Sequence, residues 1–315
     1  MLHSLTRTRR GARNHNSFMH PITDALPATL CYLDGEYTAL RDAKISVLDR
    51  GFIFGDGIYE YVPVYFGQPF CFEEHMARLD RSLAELQIEN PLSLEQWREI
   101  VMRLVEPGGD EPQSVYFQVT RGVAPRDHAM VRGLRPTVFV MVNPLPPISD
   151  AIRAKGVACV TAADFRWQKA HIKSTSLLGA VLARQISVEA GAAETIMFRD
   201  EWLSEASSSN VWIVKDGKLM GPPKNNLVLT GIRYSLFERL CKAHGIPFAL
   251  RPILRDEVFT ADELLISSAS KELLPVATLD GQPIGNGRPG PIYKSLYAAY
   301  QQAKQLNAQK HGALA

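Results

Sequence analysis

Four short stretches carry side chains whose types and spacing could do chemistry. In His171-Ile172-Lys173-Ser174-Thr175-Ser176, Lys173 follows a run that reads as a strand and precedes the amphipathic run Leu177 to Ala192. An amine at such a junction can project into a cleft, yet the chain has twelve lysines, and most lysines are solvated surface charges. Thirty-two residues on, Glu205 heads Ser204-Glu205-Ala206-Ser207-Ser208-Ser209-Asn210, an acid and a small polar turn before the apolar Val211-Trp212-Ile213-Val214; read plainly, this is a hairpin loop. Leu229-Thr230-Gly231-Ile232-Arg233 leads into a helix with Thr230 as the candidate N-cap, and the free N–H groups of such a first turn can hold phosphate, although an ordinary helix start reads the same way. Finally, Arg126-Asp127-His128 sets two basic side chains on alternate residues, which point the same way in extended backbone; alone, the motif is commonplace.

The elements that must position these residues fall into two groups. From Leu30 to Phe72 the pattern is strand and hairpin, with alternation in Glu60-Tyr61-Val62-Pro63-Val64-Tyr65 and a turn at Phe66-Gly67-Gln68-Pro69. Two helices follow: Met76, Leu79, Leu83 and Leu86 stand at helical spacing, and Ser93 with Gln96 forms a capping-box signature. Strands over 114–122 and 137–143 complete a first unit. Pro144, Pro146 and Pro147 then stiffen a linker, so the expected division is a small α/β domain over 29–143, a linker over 144–149 and a larger domain over 150–315. Strands grouped with hairpins, rather than alternating strictly with helices, predict α/β architecture with mixed α+β sheets, and no GxGxxG opens a helix as a dinucleotide fold requires.

Composition narrows the function classes. With 46% hydrophobic and 22% charged residues the chain reads as an ordinary globular protein, and it has no apolar run of about 18 residues that would span a membrane. The formal charge of +2 owes everything to Arg7, Arg9, Arg10 and Arg13; without them 31 basic residues face 33 acidic ones, which argues against nucleic acid and for a small solute. The four cysteines are scattered, with neither a CxxC pair nor zinc-ligand spacing, which fits reduced thiols in a cytoplasmic protein and predicts no metal. Residues 1–28 lack hydrophobic periodicity and read as a disordered extension, with a start at Met19 or an organellar transit peptide as alternatives.

Taken in order, eight stretches resemble the fold-type IV (class IV) pyridoxal-phosphate aminotransferases, and within them the D-amino-acid aminotransferases: DRGFIFGDGIYE (49–60), EEHMARLDR (73–81), VTRGVAPRDH (119–128), HIKSTSLLGAVLA (171–183), SEASSSNVW (204–212), LVLTGIR (227–233), ISSASKELLPV (266–276) and LDGQPIGNGRPGP (279–291). The resemblance implies a two-domain fold with a small N-terminal α/β domain and a C-terminal pseudo-barrel, pyridoxal 5'-phosphate as cofactor, and a homodimer with shared sites. It implies that Lys173 links to the cofactor aldehyde and carries the Cα proton, and that Glu205 faces the pyridine nitrogen. Arg78 matches the phosphate-binding arginine, Ile232 and Arg233 the phosphate-binding N–H groups, Leu229 the residue packed on the ring, and Ser208 and Ser209 residues that shape the cofactor pocket. Tyr59, Arg126 and His128 match a trap for the substrate carboxylate, the last two reaching in from the partner subunit.

The chain departs from the pattern at Arg233, where Thr is common, at Ala269, where a phosphate-contacting Thr is usual and Ser270 is a substitute, and at Tyr61, where Val is frequent. The implied reaction is transfer of the amino group of a D-amino acid to 2-oxoglutarate. Branched-chain L-aminotransferase and aminodeoxychorismate lyase share the fold and cofactor set, and a non-catalytic binding protein on the same fold is the alternative outside enzymes.

Overall fold

The computed structural model describes residues 28–105 and 111–310; the N-terminal extension read from the sequence, residue 28 apart, lies outside them. The first half contains strands β1 (Leu30–Leu33) and β2 (Glu36–Ala39), helix α1 (Arg50–Phe54), strands β3 (Gly57–Tyr65) and β4 (Gln68–Pro69), helices α2 (Phe72–Glu85) and α3 (Leu94–Leu104), and strands β5 (Gln113–Thr120) and β6 (Thr137–Pro144). They form an antiparallel sheet in the order β2-β1-β6-β5-β3-β4.

Alternation turns Ile58, Val62 and Val64 of β3 into one core with Phe72, Met76, Leu79 and Leu83 of α2 and Trp97 and Val101 of α3. The capping box expected at Ser93 and Gln96 is present. A second buried stripe on α2, His75, Arg78 and Ser82, is polar and belongs to the site described below. The segment DRGFIF, read from sequence as part of a strand and hairpin run, is instead helix α1, because the Asp49 carboxylate accepts the Gly51 N–H and caps its first turn. Gly55 closes that helix at φ +66°, and a Cβ there would meet Ser176 Oγ at 2.6 Å, so only glycine fits.

The second half runs α4 (Asp150–Lys155), β7 (Val157–Ala163), α5 (Leu178–Glu189), β8 (Glu194–Arg199), β9 (Trp202–Ala206), β10 (Asn210–Lys215), β11 (Lys218–Gly221), α6 (Ile232–Ala243), β12 (Phe248–Leu250), α7 (Arg255–Phe259), β13 (Glu263–Ser268), β14 (Glu272–Leu279), β15 (Gln282–Pro283) and α8 (Pro291–Lys310). Its sheet follows the order β12-β11-β10-β13-β14-β7-β8-β9, with β15 on β14, and mixes parallel pairs with antiparallel ones.

β9 and β10 lie five places apart in that order, roughly 24 Å in a flat sheet, yet only residues 207–209 join them, a reach of about 14 Å. The sheet must therefore curl until its two ends approach. The connection that forces this closure is the Ser207-Ser208-Ser209 turn, so the curl and the site are set by the same residues. One apolar cluster, with Val211, Ile213, Leu264, Ile266, Leu274 and Val276, fills one side of the sheet, and a second packs Trp212, Leu265 and Leu273 against α6 and α8.

Candidate active site

Lys173 lies in the irregular stretch between β7 and α5 rather than directly after a strand, since β7 ends at Ala163. What fixes it is pairing with β3: Ile58 and Ser174 form an isolated bridge, the Tyr59 N–H donates to the Lys173 carbonyl at 2.9 Å, and the Thr175 N–H donates to the Gly57 carbonyl at 2.9 Å. Thr175 Oγ1 and Ser176 Oγ add bonds to the Gly55 carbonyl. Lys173 Nζ then sits 4.0 Å from the centre of the Tyr59 ring. Both residues line a cavity of about 850 Å³ between the two halves, together with Arg78, Glu205, Leu229, Ile232 and Arg233.

Glu205 enters from the end of β9, and its buried carboxylate is held at both oxygens. Arg166 Nη1 donates to Oε1 at 2.6 Å, while Asn210 Nδ2 at 3.2 Å and the Leu229 N–H at 3.1 Å donate to Oε2. Arg166 is in turn clamped by Asp164, through Nε at 2.9 Å and Nη2 at 3.0 Å. Burial pushes the Glu205 carboxyl up to about 7, against the pull of the Arg166 guanidinium and the Leu229 N–H. Burial thus keeps the charge on this carboxylate costly even with the Arg166 guanidinium beside it.

Arg78 is not the surface charge its helical position allows. It is buried, and Glu60 takes its Nε at 2.6 Å and its Nη2 at 2.8 Å, while Nη1 donates to the Thr230 carbonyl at 3.3 Å. Of the five N–H groups of a guanidinium this leaves two free of these partners. His75 Nδ1 donates to Glu60 Oε2 at 2.8 Å, and burial lowers the His75 pKa to about 4 although Glu60 pulls it upward. Burial raises the Glu60 carboxyl, but the charge and hydrogen bonds of Arg78 and His75 outweigh it and hold it far below the usual carboxylate range.

The expected cap of α6 is corrected: its N-cap is Gly231, not Thr230, with no side-chain cap bond, and Thr230 contributes its carbonyl to Arg78 instead. A Cβ on Gly231 would meet Asn210 Oδ1 at 2.0 Å, so glycine lets the helix start press against the residue that also holds Glu205. The first-turn N–H groups of Ile232 and Arg233 lack intrahelical acceptors by position. The side chain of Arg233 turns into the core, where Nη2 meets the Tyr300 hydroxyl at 2.5 Å. Ser268, Ala269 and Ser270 line the same cavity.

Ser208 and Ser209 line the cavity as well, but their hydroxyls turn to Glu194 Oε1 at 2.6 and 2.7 Å, and Ser207 joins the same carboxylate. Lys271 Nζ neutralises it at 2.9 Å. Glu194, fully buried in β8, therefore fastens the turn that closes the sheet.

Arg126 and His128 stand apart. They are exposed on the loop between β5 and β6, which is bent rather than extended, and they do not line the cavity of their own chain. They still flank one object: the Arg126 guanidinium lies 5.5 Å and the His128 ring 5.3 Å from the Phe54 ring.

Sequence reasoning missed Glu60, His75, Arg166, Asn210 and Glu194. Glu60 had a signal, an acid on the core-facing side of an alternating strand between Ile58 and Val62. Arg166 had only a weak one, an acid and a base two apart amid aromatic residues, Asp164-Phe165-Arg166-Trp167.

The family described as amino-transferase class IV matches residues 57–279. D-alanine aminotransferase of Staphylococcus aureus (strain N315) is 38% identical over 271 residues, covering 86% of this chain and 96% of that protein. D-alanine aminotransferase of Bacillus licheniformis is 36% identical over 268 residues, 85% and 94% of the two chains. Among solved structures, the branched-chain aminotransferase of Thermoproteus uzoniensis with norvaline superposes with a TM-score of 0.80 at 25% identity, covering 90% of this chain and 96% of that one. The branched-chain amino acid aminotransferase of Escherichia coli gives 0.77 at 25% identity, over 87% and 93% of the two chains. A lysine and a buried carboxylate in one cavity, a guanidinium beside a helix start and a matching family over most of the chain lead to one conclusion: the protein belongs to the class IV aminotransferases.

Proposed function

We propose that this aminotransferase moves the amino group of D-alanine or another D-amino acid reversibly to 2-oxoglutarate, as a homodimer whose sites are shared between subunits. The observation that carries the reading is a division of charges. The cavity holds Lys173, Glu205 and Arg78, whereas Arg126 and His128 project from the outside of the same chain. The chain also exposes apolar side chains in both halves: Phe52 of α1 is 69% exposed, and beside the cavity, which Leu177 and Val181 border, Leu178 of α5 is 71% exposed. Such a surface suits a second copy, which would bring its own Arg126 and His128 to this cavity. The D-alanine aminotransferases that match nearly end to end support the substrate class.

The donor set fits pyridoxal 5'-phosphate: an amine for the aldehyde, a buried carboxylate for the ring nitrogen, and the Arg78 guanidinium with the Ile232 and Arg233 N–H groups for the phosphate. When bound, that cofactor supplies an electron sink for the bond being broken at the substrate Cα. The protein does the rest. Glu205, steered by Arg166 and Asn210, keeps a proton on the ring nitrogen. Lys173 Nζ would take the proton from the substrate Cα and hold it for delivery to the carbon of the cofactor aldehyde, two bonds away across the amino nitrogen. Tyr59 with Arg126 and His128 of the second copy hold the substrate carboxylate, so that only one enantiomer turns its Cα hydrogen towards Lys173.

The linker between the two domains is read at 144–149. The chain is read as cytoplasmic from four buried free cysteines; among the described residues no helix is long and apolar enough to cross a membrane.

Steady-state rates with D-alanine, L-alanine and L-leucine as donors and 2-oxoglutarate as acceptor test the reading. D-alanine should be the best of the three by kcat/KM, and faster turnover of L-leucine would overturn it.

A further inference from the structure

The loop that carries Arg126 and His128 is exposed, and side chains meant to enter another subunit's cavity are useful only if their backbone is held in register. Among the described residues, one hydrogen bond joins residues 126–129 to the rest of the fold: Arg50 Nη1 donates to the Asp127 carbonyl at 2.6 Å. Elsewhere on the loop, the Arg50 N–H donates to the Gly122 carbonyl and the Ala124 N–H to the Leu48 carbonyl at its root, while beyond residue 129 Arg132 Nη2 donates to Gln87 Oε1 and Arg135 Nη2 to the Asp34 carbonyl, each at 3.1 Å.

Arg50 itself is immobilised. It is 3% exposed, its Nε donates to Asp56 Oδ2 at 2.8 Å, and its guanidinium lies 4.8 Å from the Phe54 ring that Arg126 and His128 flank. Arg121 grips the same Asp56 through both of its oxygens and is anchored to the Leu86 carbonyl at 2.7 Å. Burial raises the Asp56 carboxyl, but the hydrogen bonds and charges of Arg121 and Arg50 bring it below its ordinary value, so it stays a fixed anion for both. On the other side of Asp56, the Gly55 and Gly57 carbonyls hold Thr175 and with it the Lys173 segment.

We propose that Arg50 is a positioning residue for substrate binding: through the Asp127 carbonyl it fixes Arg126 and His128 for the cavity of the neighbouring subunit, while the same turn holds Lys173 of its own. A guanidinium is needed because Nε and Nη1, separate nitrogens of one rigid fork, serve Asp56 and the Asp127 carbonyl in different directions, a geometry the single nitrogen of an ammonium does not reproduce. The proposal rests on the shared-site reading above, and its test separates the two.

KM for D-alanine is measured for Arg50→Ala, Arg126→Ala and the double variant, with cofactor content followed by absorbance. Arg50→Ala should raise KM at least about tenfold, with cofactor bound as in the parent, and should add less than about twofold in the Arg126→Ala background, because both act through one loop. Arg50→Lys keeps a cation on Asp56, and with it the fold, and should show the same KM increase. In a heterodimer of Arg50→Ala with Lys173→Ala, the site with an intact Lys173 receives its loop from the chain with an intact Arg50, so it should return to the parent KM.

A heterodimer that keeps the raised KM, or multiplicative effects in the double variant, would overturn the proposal, as would an unchanged KM in Arg50→Lys. If Arg126→Ala itself leaves KM unmoved, the shared-site reading falls and this proposal with it. If Arg126→Ala raises KM and Arg50→Ala does not, the proposal alone falls.

Discussion

Lys173 and Tyr59 stand 114 positions apart, yet the Tyr59 N–H donates to the Lys173 carbonyl and the Lys173 Nζ lies 4.0 Å from the Tyr59 ring. The backbone bond locks an irregular segment of the second half onto a regular strand of the first, and the side chains meet as a result. The lysine proposed to transfer the proton is thereby placed beside the residue proposed to hold the substrate carboxylate.

Lys173→Ala is expected to lose at least about 100-fold in turnover, the scale of a general acid–base group, while the fold persists. Borohydride reduction of the cofactor-loaded parent, followed by peptide mapping, should label Lys173. Label on another lysine would contradict the assignment.

Glu205 gives a pH dependence with a definite sign. In cofactor-free protein burial raises its pKa from an ordinary 4.5 to about 7, so the folded state binds its proton more tightly than the unfolded chain does. Its contribution to stability is therefore complete below pH 4.5 and lost as pH rises through 7. Relative to Glu205→Gln, the cofactor-free parent should lose roughly 3 kcal/mol across that window, measured by denaturant unfolding at several pH values. A difference that does not change with pH would show that the carboxylate is not penalised by its surroundings.

Arg78→Ala should act on the cofactor before the chemistry. Removing a charged donor beside the phosphate costs about 1.5–3 kcal/mol, roughly tenfold to a hundredfold in affinity. It also strands Glu60, now buried without its main partner, so the cofactor-free protein should unfold at lower denaturant by about 3–5 kcal/mol. Equilibrium dialysis and unfolding curves check the two effects separately.

Gly231→Ala should injure the site without touching a charged group. The added methyl would occupy the place of Asn210 Oδ1, whose amide holds both Glu205 and the Leu229 carbonyl. Slower turnover together with a lower melting temperature is expected, and unchanged kinetics would show that the helix start can move aside.

Much of this arrangement was legible in the sequence, because periodicity and caps are local. The capping box at Ser93, the apolar stripe of α2 and the strands expected over 114–122 and 137–143 stand where local pattern puts them, the first strand ending two residues early at Thr120. α1 was hidden, because five residues are too few for a periodic signal and its start depends on the Asp49 side chain capping the turn. Thr230 was a reasonable cap by residue type, but the carbonyl pulled towards Arg78 and the tight contact of Gly231 with Asn210 decide where α6 begins. Glu60, Arg166 and Glu194 act by pairing with residues distant in sequence or in another element, and residue types alone do not announce such partners. The family resemblance pointed to Lys173, Glu205 and Arg78 as one group, and all three line one cavity, whereas the side chain at position 233 went to the core.

Lys173 of one subunit and Arg126 of another are proposed to make one site for a D-amino acid. Lys173→Ala chains, nearly inactive, and Arg126→Ala chains, slow on D-alanine well below their raised KM, should be unfolded together, refolded and assayed with 2-oxoglutarate at a D-alanine concentration near the parent KM, with heterodimers counted by native mass spectrometry. Random pairing makes half of the dimers mixed, each with one intact site, so activity should recover to about a quarter of the parent value. Absence of recovery despite proven heterodimers would contradict the shared site.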